Sequence, residues 1–420
     1  MKNKELGYRN NINLYKKYKM FSYDFLFYSA ISVLYYTVTK GFSMSEVMYI
    51  TAAFSLFAFI WQIPSNFIIE KLGVKKSTVL GNILVVFEIV MYIFAKDIYT
   101  FMIADFFGAL GWAIKGITEG TILYVSLKKL GRKEEFSKIE GKANSKYYYY
   151  DAFSAAISGF LFVLNNYIPM ILCLINTIIS TVISLKFTDV ENESDEEKVT
   201  IKDMVNQFIN ILHSKRNKSL FIFAFIFAGI VGVSQKMYNT ILIDLTIPEQ
   251  YITIILSVVT IFTGIGAKYS YKVQKLAKNK TLTIFTVIYI ISLFFVGLIG
   301  YANNLTVYTL SLYMIFLTCM CFIQGSYRVA LKKYILNFTN HKIRTKVTAI
   351  YYLFEYIGKV VLIFMCGLLL EVFTNSISLI IFTVIIAIIC YICVKYMEKN
   401  LGLKPEEYDK KEIYNYMVKK

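Results

Sequence analysis

The stretch Pro64-Ser65-Asn66-Phe67-Ile68-Ile69-Glu70-Lys71-Leu72-Gly73-Val74-Lys75-Lys76 sets one acid and three lysines around a glycine, between two long apolar runs. The runs, residues 47–69 and 77–95, are each long enough as helices, at ~1.5 Å per residue, to cross a hydrocarbon core of ~30 Å. The stretch therefore reads as a short polar turn joining two membrane spans.

The rest of the chain follows the same plan. Mean hydropathy is +0.54, and 57% of residues are apolar against 17% charged. Twelve apolar runs begin near Phe21, Val47, Ser77, Phe101, Tyr147, Ile168, Leu220, Ile252, Leu282, Leu305, Val347 and Ile377. They are continuous rather than alternating, which excludes a β-barrel and predicts an all-α polytopic membrane protein of twelve transmembrane helices. Of the 45 Lys and Arg, 40 fall in the amino-terminal segment, alternate loops and the tail, and Lys40 and Lys96 alone occupy the other loops. That asymmetry places both termini in the cytoplasm. It also accounts for the net charge of +17, since lysines spread over every inner loop meet anionic lipid headgroups rather than nucleic acid.

A repeat runs through this pattern. An offset of 204 residues lays Lys71 and Leu72 on Lys275 and Leu276, and lays Val125, Leu127, Lys128 and Lys129 on Val329, Leu331, Lys332 and Lys333. Ile139, Lys142 and the membrane acid Asp151 fall on Ile343, Lys346 and Glu355 at the same offset. One constant offset of about half the chain argues for two related halves. The expected divisions are residues 1–186 for the first bundle, 187–219 for a cytoplasmic linker, 220–396 for the second bundle and 397–420 for a tail. Within the linker, Ile201, Met204, Val205, Phe208, Ile209 and Leu212 have helical spacing, which predicts an amphipathic helix over residues 199–213.

Charges stranded in apolar runs are the candidate functional residues, because each costs about 2.5 to 3.5 kcal/mol at a bilayer centre unless protein or water satisfies it. In the fourth run Lys115 and Glu119 lie one turn apart on one face, among Gly108, Gly111, Gly116 and Gly120, which permit close helix approach. Such a pair marks an internal cavity or a structural couple. Glu355 and Lys359 repeat the spacing in the eleventh run. Lys236 in the seventh run either faces a central pathway or snorkels outward. Asp24, close to Lys19 at the start of the first run, has the same two readings, and Glu88 in the third run suits a structural partner on a neighbouring helix. The tyrosines at residues 147–150 read as interfacial anchors. The six cysteines lie in or beside apolar runs and imply no disulfide framework, and Cys390 and Cys393 read as buried thiols. No metal or cofactor is expected. His213 and His341, the only histidines, lack paired ligands, and no Asp-rich or His-Glu-x-x-His motif occurs, which argues against a membrane enzyme.

The arrangement Glu70, Lys71, Gly73, Lys75 and Lys76 resembles the loop between helices 2 and 3 of the major facilitator superfamily, with Asn66 where that family has its first glycine. The stretch from Gly116 to Lys128, followed by Gly131, Arg132 and Lys133, is similar to a bacterial subgroup that includes drug exporters. This sequence departs from that subgroup: Val125 stands where an acid usually follows the tyrosine, the helix-4 arginine is not recognisable, and the fifth run lacks a Gly-Pro pair. The resemblance implies two six-helix bundles moving about a central site. It makes Glu70, Lys71, Gly73, Lys75, Lys76, Asp151 and Lys275 a conformational gate, and Asp24, Lys115, Glu119, Lys236, Glu355 and Lys359 a substrate or proton pathway. The activity implied is secondary active transport by alternating access of a small apolar or amphipathic solute, as proton-coupled efflux from a monomer in a bacterial cytoplasmic membrane. A receptor or accessory subunit keeping the fold without transport is the alternative.

Overall fold

The helices follow the apolar runs closely, with two departures near the start of the chain. The computed structural model describes residues 2–190, 215–277, 280–337 and 344–401, so the expected linker helix over residues 199–213, His213, His341 and the tail beyond residue 401 lie outside the described residues. The principal helices are α1 (Lys2–Ser22), α2 (Met44–Trp61), α3 (Pro64–Leu72), α4 (Val74–Phe94), α5 (Ile98–Lys129), α6 (Phe136–Leu164) and α7 (Ile168–Leu185), then α8 (Lys215–Asp244), α9 (Glu249–Ala277), α10 (Thr281–Ala302), α11 (Val307–Asn337), α12 (Arg344–Val372) and α13 (Asn375–Leu401). Among the described residues ten helices are long and apolar enough to cross a membrane: α2, α4, α5 and α7 to α13. The protein is thus a multi-pass, all-helical membrane protein.

The first departure is the run beginning near Phe21. It is not one helix: α1 ends at Ser22, and residues 23–40 form turns with short helical pieces at Ser29–Ile31, Ser32–Leu34 and Tyr35–Thr39. The Asp24 side chain accepts the Phe25 N–H at 2.7 Å, the Leu26 N–H bonds back to the Asp24 carbonyl, and Phe27 has φ of 68°. A short acid that bonds its own backbone offers the chain an alternative to the helix. Aromatic packing fixes the break, with Phe25 edge-on to Trp112 at 5.2 Å and Phe27 edge-on to Tyr150 at 6.1 Å.

The second departure is the opening stretch itself, which is a helix rather than a turn. Pro64 sits in the first turn of α3, where its missing N–H costs nothing, and Gly73 ends the helix with φ of 82°, a conformation that glycine alone adopts cheaply.

The chain divides into two compact units, Met1–Asp195 with Pro248–Ser257, and Glu196–Ile247 with Val258–Lys420. In the first, α1 is polar by composition yet packed, because Tyr8, Ile12, Tyr15 and Tyr18 recur at helical spacing and bury against Ile122, Leu123, Val125 and Leu127 of α5, with Ile139, Phe187 and Val190. Asn11, fully buried, donates to the Thr188 carbonyl at 2.9 Å and to Ser126 Oγ at 3.0 Å, and accepts the Thr188 N–H at 2.8 Å. Helices α4 and α5 cross where Gly111 meets Gly81; a Cβ on Gly111 would stand 2.8 Å from the Gly81 carbonyl oxygen. Gly116 and Gly120, expected to serve such contacts, open onto free space. In the second unit, α8 and α12 touch backbone to backbone: a Cβ on Gly358 would stand 1.9 Å from the Phe225 carbonyl oxygen. The repeated segments fall on elements in matching order, with Lys129 on α5 and Lys333 on α11, and Asp151 on α6 and Glu355 on α12.

Candidate functional site

The end of α1 and the middle of α5 build a buried polar site. Helix α1 stops at Ser22, leaving carbonyls without helical partners. Lys115 donates to the Ser22 carbonyl at 2.8 Å, placing a cation at the negative end of the helix dipole. Its ammonium also lies 4.1 Å from the centre of the Trp112 ring, a cation–π contact strengthened by desolvation. One turn further along α5, Glu119 accepts from Lys19 at 2.7 Å, from the Tyr18 hydroxyl at 2.8 Å and from the Ser22 hydroxyl at 3.2 Å. Lys115 is 2% and Glu119 4% exposed. The two are joined through Ser22 rather than directly, its carbonyl serving the lysine and its hydroxyl the acid. Behind Tyr18 the network continues: Asn82 of α4 donates to the Tyr18 hydroxyl at 2.8 Å and accepts from Ser180 of α7 at 3.1 Å. If all three ionise, two lysines and one glutamate leave an excess positive charge in the interior.

A second group lies along α4 and α5. The Tyr92 hydroxyl bonds to Asp105 and stands 3.3 Å from Glu88 Oε1, while Trp112 donates to Glu88 Oε2 at 3.2 Å. Both acids are buried. One phenolic proton can be donated to one carboxylate only, so serving both acids through Tyr92 requires a second proton on the group. Gly108 makes room for it, since a Cβ there would lie 2.0 Å from Glu88 Cδ.

The other expected residues are placed as follows. Asp24 is exposed within the break after α1. Asp151 is half-buried on α6, next to the break through the Tyr23–Tyr147 ring contact at 4.3 Å. In the second unit, Glu355 accepts from Tyr351 one turn before it, and the Lys359 ammonium lies 5.7 Å from the Tyr356 ring centre. Lys236 is half-buried on α8, and Lys275 is exposed near the end of α9. A hydrogen-bonded set lies nearby on α8, α10 and α11: Tyr289 takes a bond from Gln324 at 2.9 Å and shares one with Ser234 at 2.5 Å. In the gate stretch Glu70, Lys71 and Lys76 are exposed, and the Lys75 N–H donates to Asp189 Oδ1 at 3.3 Å beside Gly73. The structure thus brings Lys115 and Glu119 into one network and ties the Gly73 turn to Asp189.

Sequence reasoning missed Lys19, Tyr18, Ser22 and Asn82. Lys19 sits in a basic segment whose charges read as topology, and Tyr18 and Ser22 flank the run's expected start. Asn82, an amide inside an apolar run, was the available signal.

No curated protein matches the chain at a significant level. Solved structures match across nearly its whole length. They include the nucleoside transporter NupG (10% identity, TM-score 0.77, covering 93% of this chain and 99% of that one) and a D-xylose-proton symporter (12% identity, TM-score 0.70, 94% and 98%). A POT family transporter in complex with 5-aminolevulinic acid also matches (14% identity, TM-score 0.67, 93% and 96%). At these identities the likeness is one of fold. The family profile of the Major Facilitator Superfamily, however, matches residues 20–358, a span that runs from the end of α1 through the α3 hinge and the α5 site to Glu355. Hinge, helical plan and profile agree, and the chain belongs to the Major Facilitator Superfamily.

Proposed function

We propose that this protein is a secondary active transporter that moves a small apolar or amphipathic solute out of a bacterial cell across the cytoplasmic membrane in exchange for protons. In this reading twelve helices span the membrane, both termini lie in the cytoplasm, and a monomer works by alternating access. Transporters dominate the structural neighbours, including one named as a proton symporter, and point to transport rather than catalysis. The observation that carries the reading is the buried Lys19–Glu119–Ser22–Lys115 network at the broken end of α1. A helix that stops within the bundle leaves carbonyls and a carboxylate that bind cations, or release them when the break moves. Asp24, Lys236, Glu355 and Lys359 extend the pathway. Glu70, Lys71, Gly73, Lys75, Lys76, Asp151 and Lys275 form the gate, whose contacts must differ between states to bias them.

The test is reconstitution into proteoliposomes holding a pH-sensitive dye, with ethidium as an amphipathic probe. Ethidium flux with an opposing proton flux in the wild type, both lost in Glu119→Gln, is the expected result. Ethidium binding without flux in correctly folded wild type would overturn the proposal in favour of a receptor.

A further inference from the structure

Helices α10 and α13 of the second unit run antiparallel and leave between them a groove of about 350 Å³, lined by Thr286, Val287 and Ile291 on one side and by Ala387, Cys390 and Tyr391 on the other. Neither helix contributes to the buried charges described above. The lining residues recur three and four apart on each helix, so each wall is a single stripe. Both walls include small side chains, Thr286 on one and Ala387 and Cys390 on the other, while the rims are large and exposed: Val287 50%, Ile291 48% and Tyr391 66%. A rim so apolar and so exposed on a membrane-spanning helix faces acyl chains.

The groove's length and ends identify its occupant. From residue 387 to residue 398 the α13 wall is about 17 Å long at helical rise, close to half of a ~30 Å hydrocarbon core, which is the depth of one leaflet. One end is lined by apolar residues, Ile291 and Ala387 among them. The other carries Thr283, Lys395 and Glu398. There Glu398 accepts from the Thr283 hydroxyl at 2.9 Å and stands 3.7 Å from the Lys395 ammonium. Lys280 and Lys399 are exposed at the same ends of α10 and α13. Three lysines against one glutamate leave a net positive rim.

We propose that this groove binds one acyl chain of an anionic phospholipid, with the headgroup phosphate held by Lys395 and supported by Lys280 and Lys399. The assignment is independent of the transport reading. The test is native mass spectrometry of the full chain released from micelles supplied with equal phosphatidylglycerol and phosphatidylcholine of the same chain length. The wild type is expected to retain one phosphatidylglycerol about fivefold over phosphatidylcholine, the factor that one lysine supplies at an anionic surface. Lys395→Glu, a change at an exposed side chain, should erase the preference while leaving a bound lipid. Ala387→Phe, which fills the groove, should lose the bound lipid of either kind, and Thr286→Phe should do the same from the opposite wall. Equal retention of the two lipids by the wild type, or undiminished phosphatidylglycerol in both filled variants, would overturn the proposal.

Discussion

Lys19→Met removes the ammonium from the Glu119 ion pair while keeping most of the apolar stem. The pair is 2.7 Å apart, with side chains 12% and 5% exposed, so it counts as buried rather than as a screened surface bridge. Breaking a buried pair from one side costs about 3 to 5 kcal/mol, because the remaining charge is left without its partner. Glu119 keeps the Tyr18 and Ser22 hydroxyls, which points to the lower end, about 3 kcal/mol. Glu119→Gln should cost less, about 1 to 2 kcal/mol, since Lys19 can turn its head toward the edge of the bundle. With neither charge present, the double variant should lose only about 1 kcal/mol in weakened polar contacts. The coupling between the two sites would then be about 3 to 4 kcal/mol, well above the ~0.6 kcal/mol average for neutral interhelical hydrogen bonds in a membrane protein. Equilibrium unfolding of the four proteins in mixed micelles, followed by tryptophan fluorescence, measures the cycle. Additive losses, or a Lys19→Met cost below about 1 kcal/mol, would refute the reasoning that this pair anchors α1 to α5.

Further outcomes follow from other contacts. Gly358→Ala should destabilise the second unit by about 1 to 3 kcal/mol through overpacking, because the new methyl meets the Phe225 backbone rather than a movable side chain; thermal unfolding in detergent checks it. Asn11→Ala should cost about 1 to 3 kcal/mol by leaving half-buried backbone groups of Thr188 without their partner, and should speed hydrogen exchange at the Thr188 amide, whose acceptor is lost. Asp97 at the start of α5 accepts from the Thr100 N–H and hydroxyl, which hold its carboxyl below the usual 3.8. A depressed carboxyl stabilises the folded state above its unfolded pKa and loses that contribution as pH falls through the folded value. Protection of the Thr100 amide should therefore be flat above about pH 4 and fall below 3.8, while in Asp97→Asn it should not depend on pH in that range.

How far the sequence disclosed this molecule differs from element to element. The span beginning at Ile168 starts where it was expected, whereas the stretch read as a polar turn is the helix α3, closed by Gly73 with a positive φ. Apolar length and charge placement carry such information because hydrocarbon is an unforgiving solvent. The break after Ser22 was hidden, since no proline or glycine marks it and the side chains that hold it, Trp112 and Tyr150, come from distant segments. Lys115 and Glu119 were legible as a couple by their spacing. Their actual partners were not: Lys19 and Ser22 reach them through tertiary packing across almost a hundred residues, which no local periodicity encodes.

The clasp between Asn11 and Thr188 spans 177 residues of sequence. Helix α1 is therefore held by a segment synthesised long after it. As the ribosome works, α1 has its tyrosines and its buried amide ready, but their counterparts do not yet exist. Contacts so far apart in the chain form late and make assembly slow. Helix α1 must wait beside the growing bundle until residue 188 has emerged, so a chain truncated before that point would contain α1 to α7 and still lack the lock that ties them.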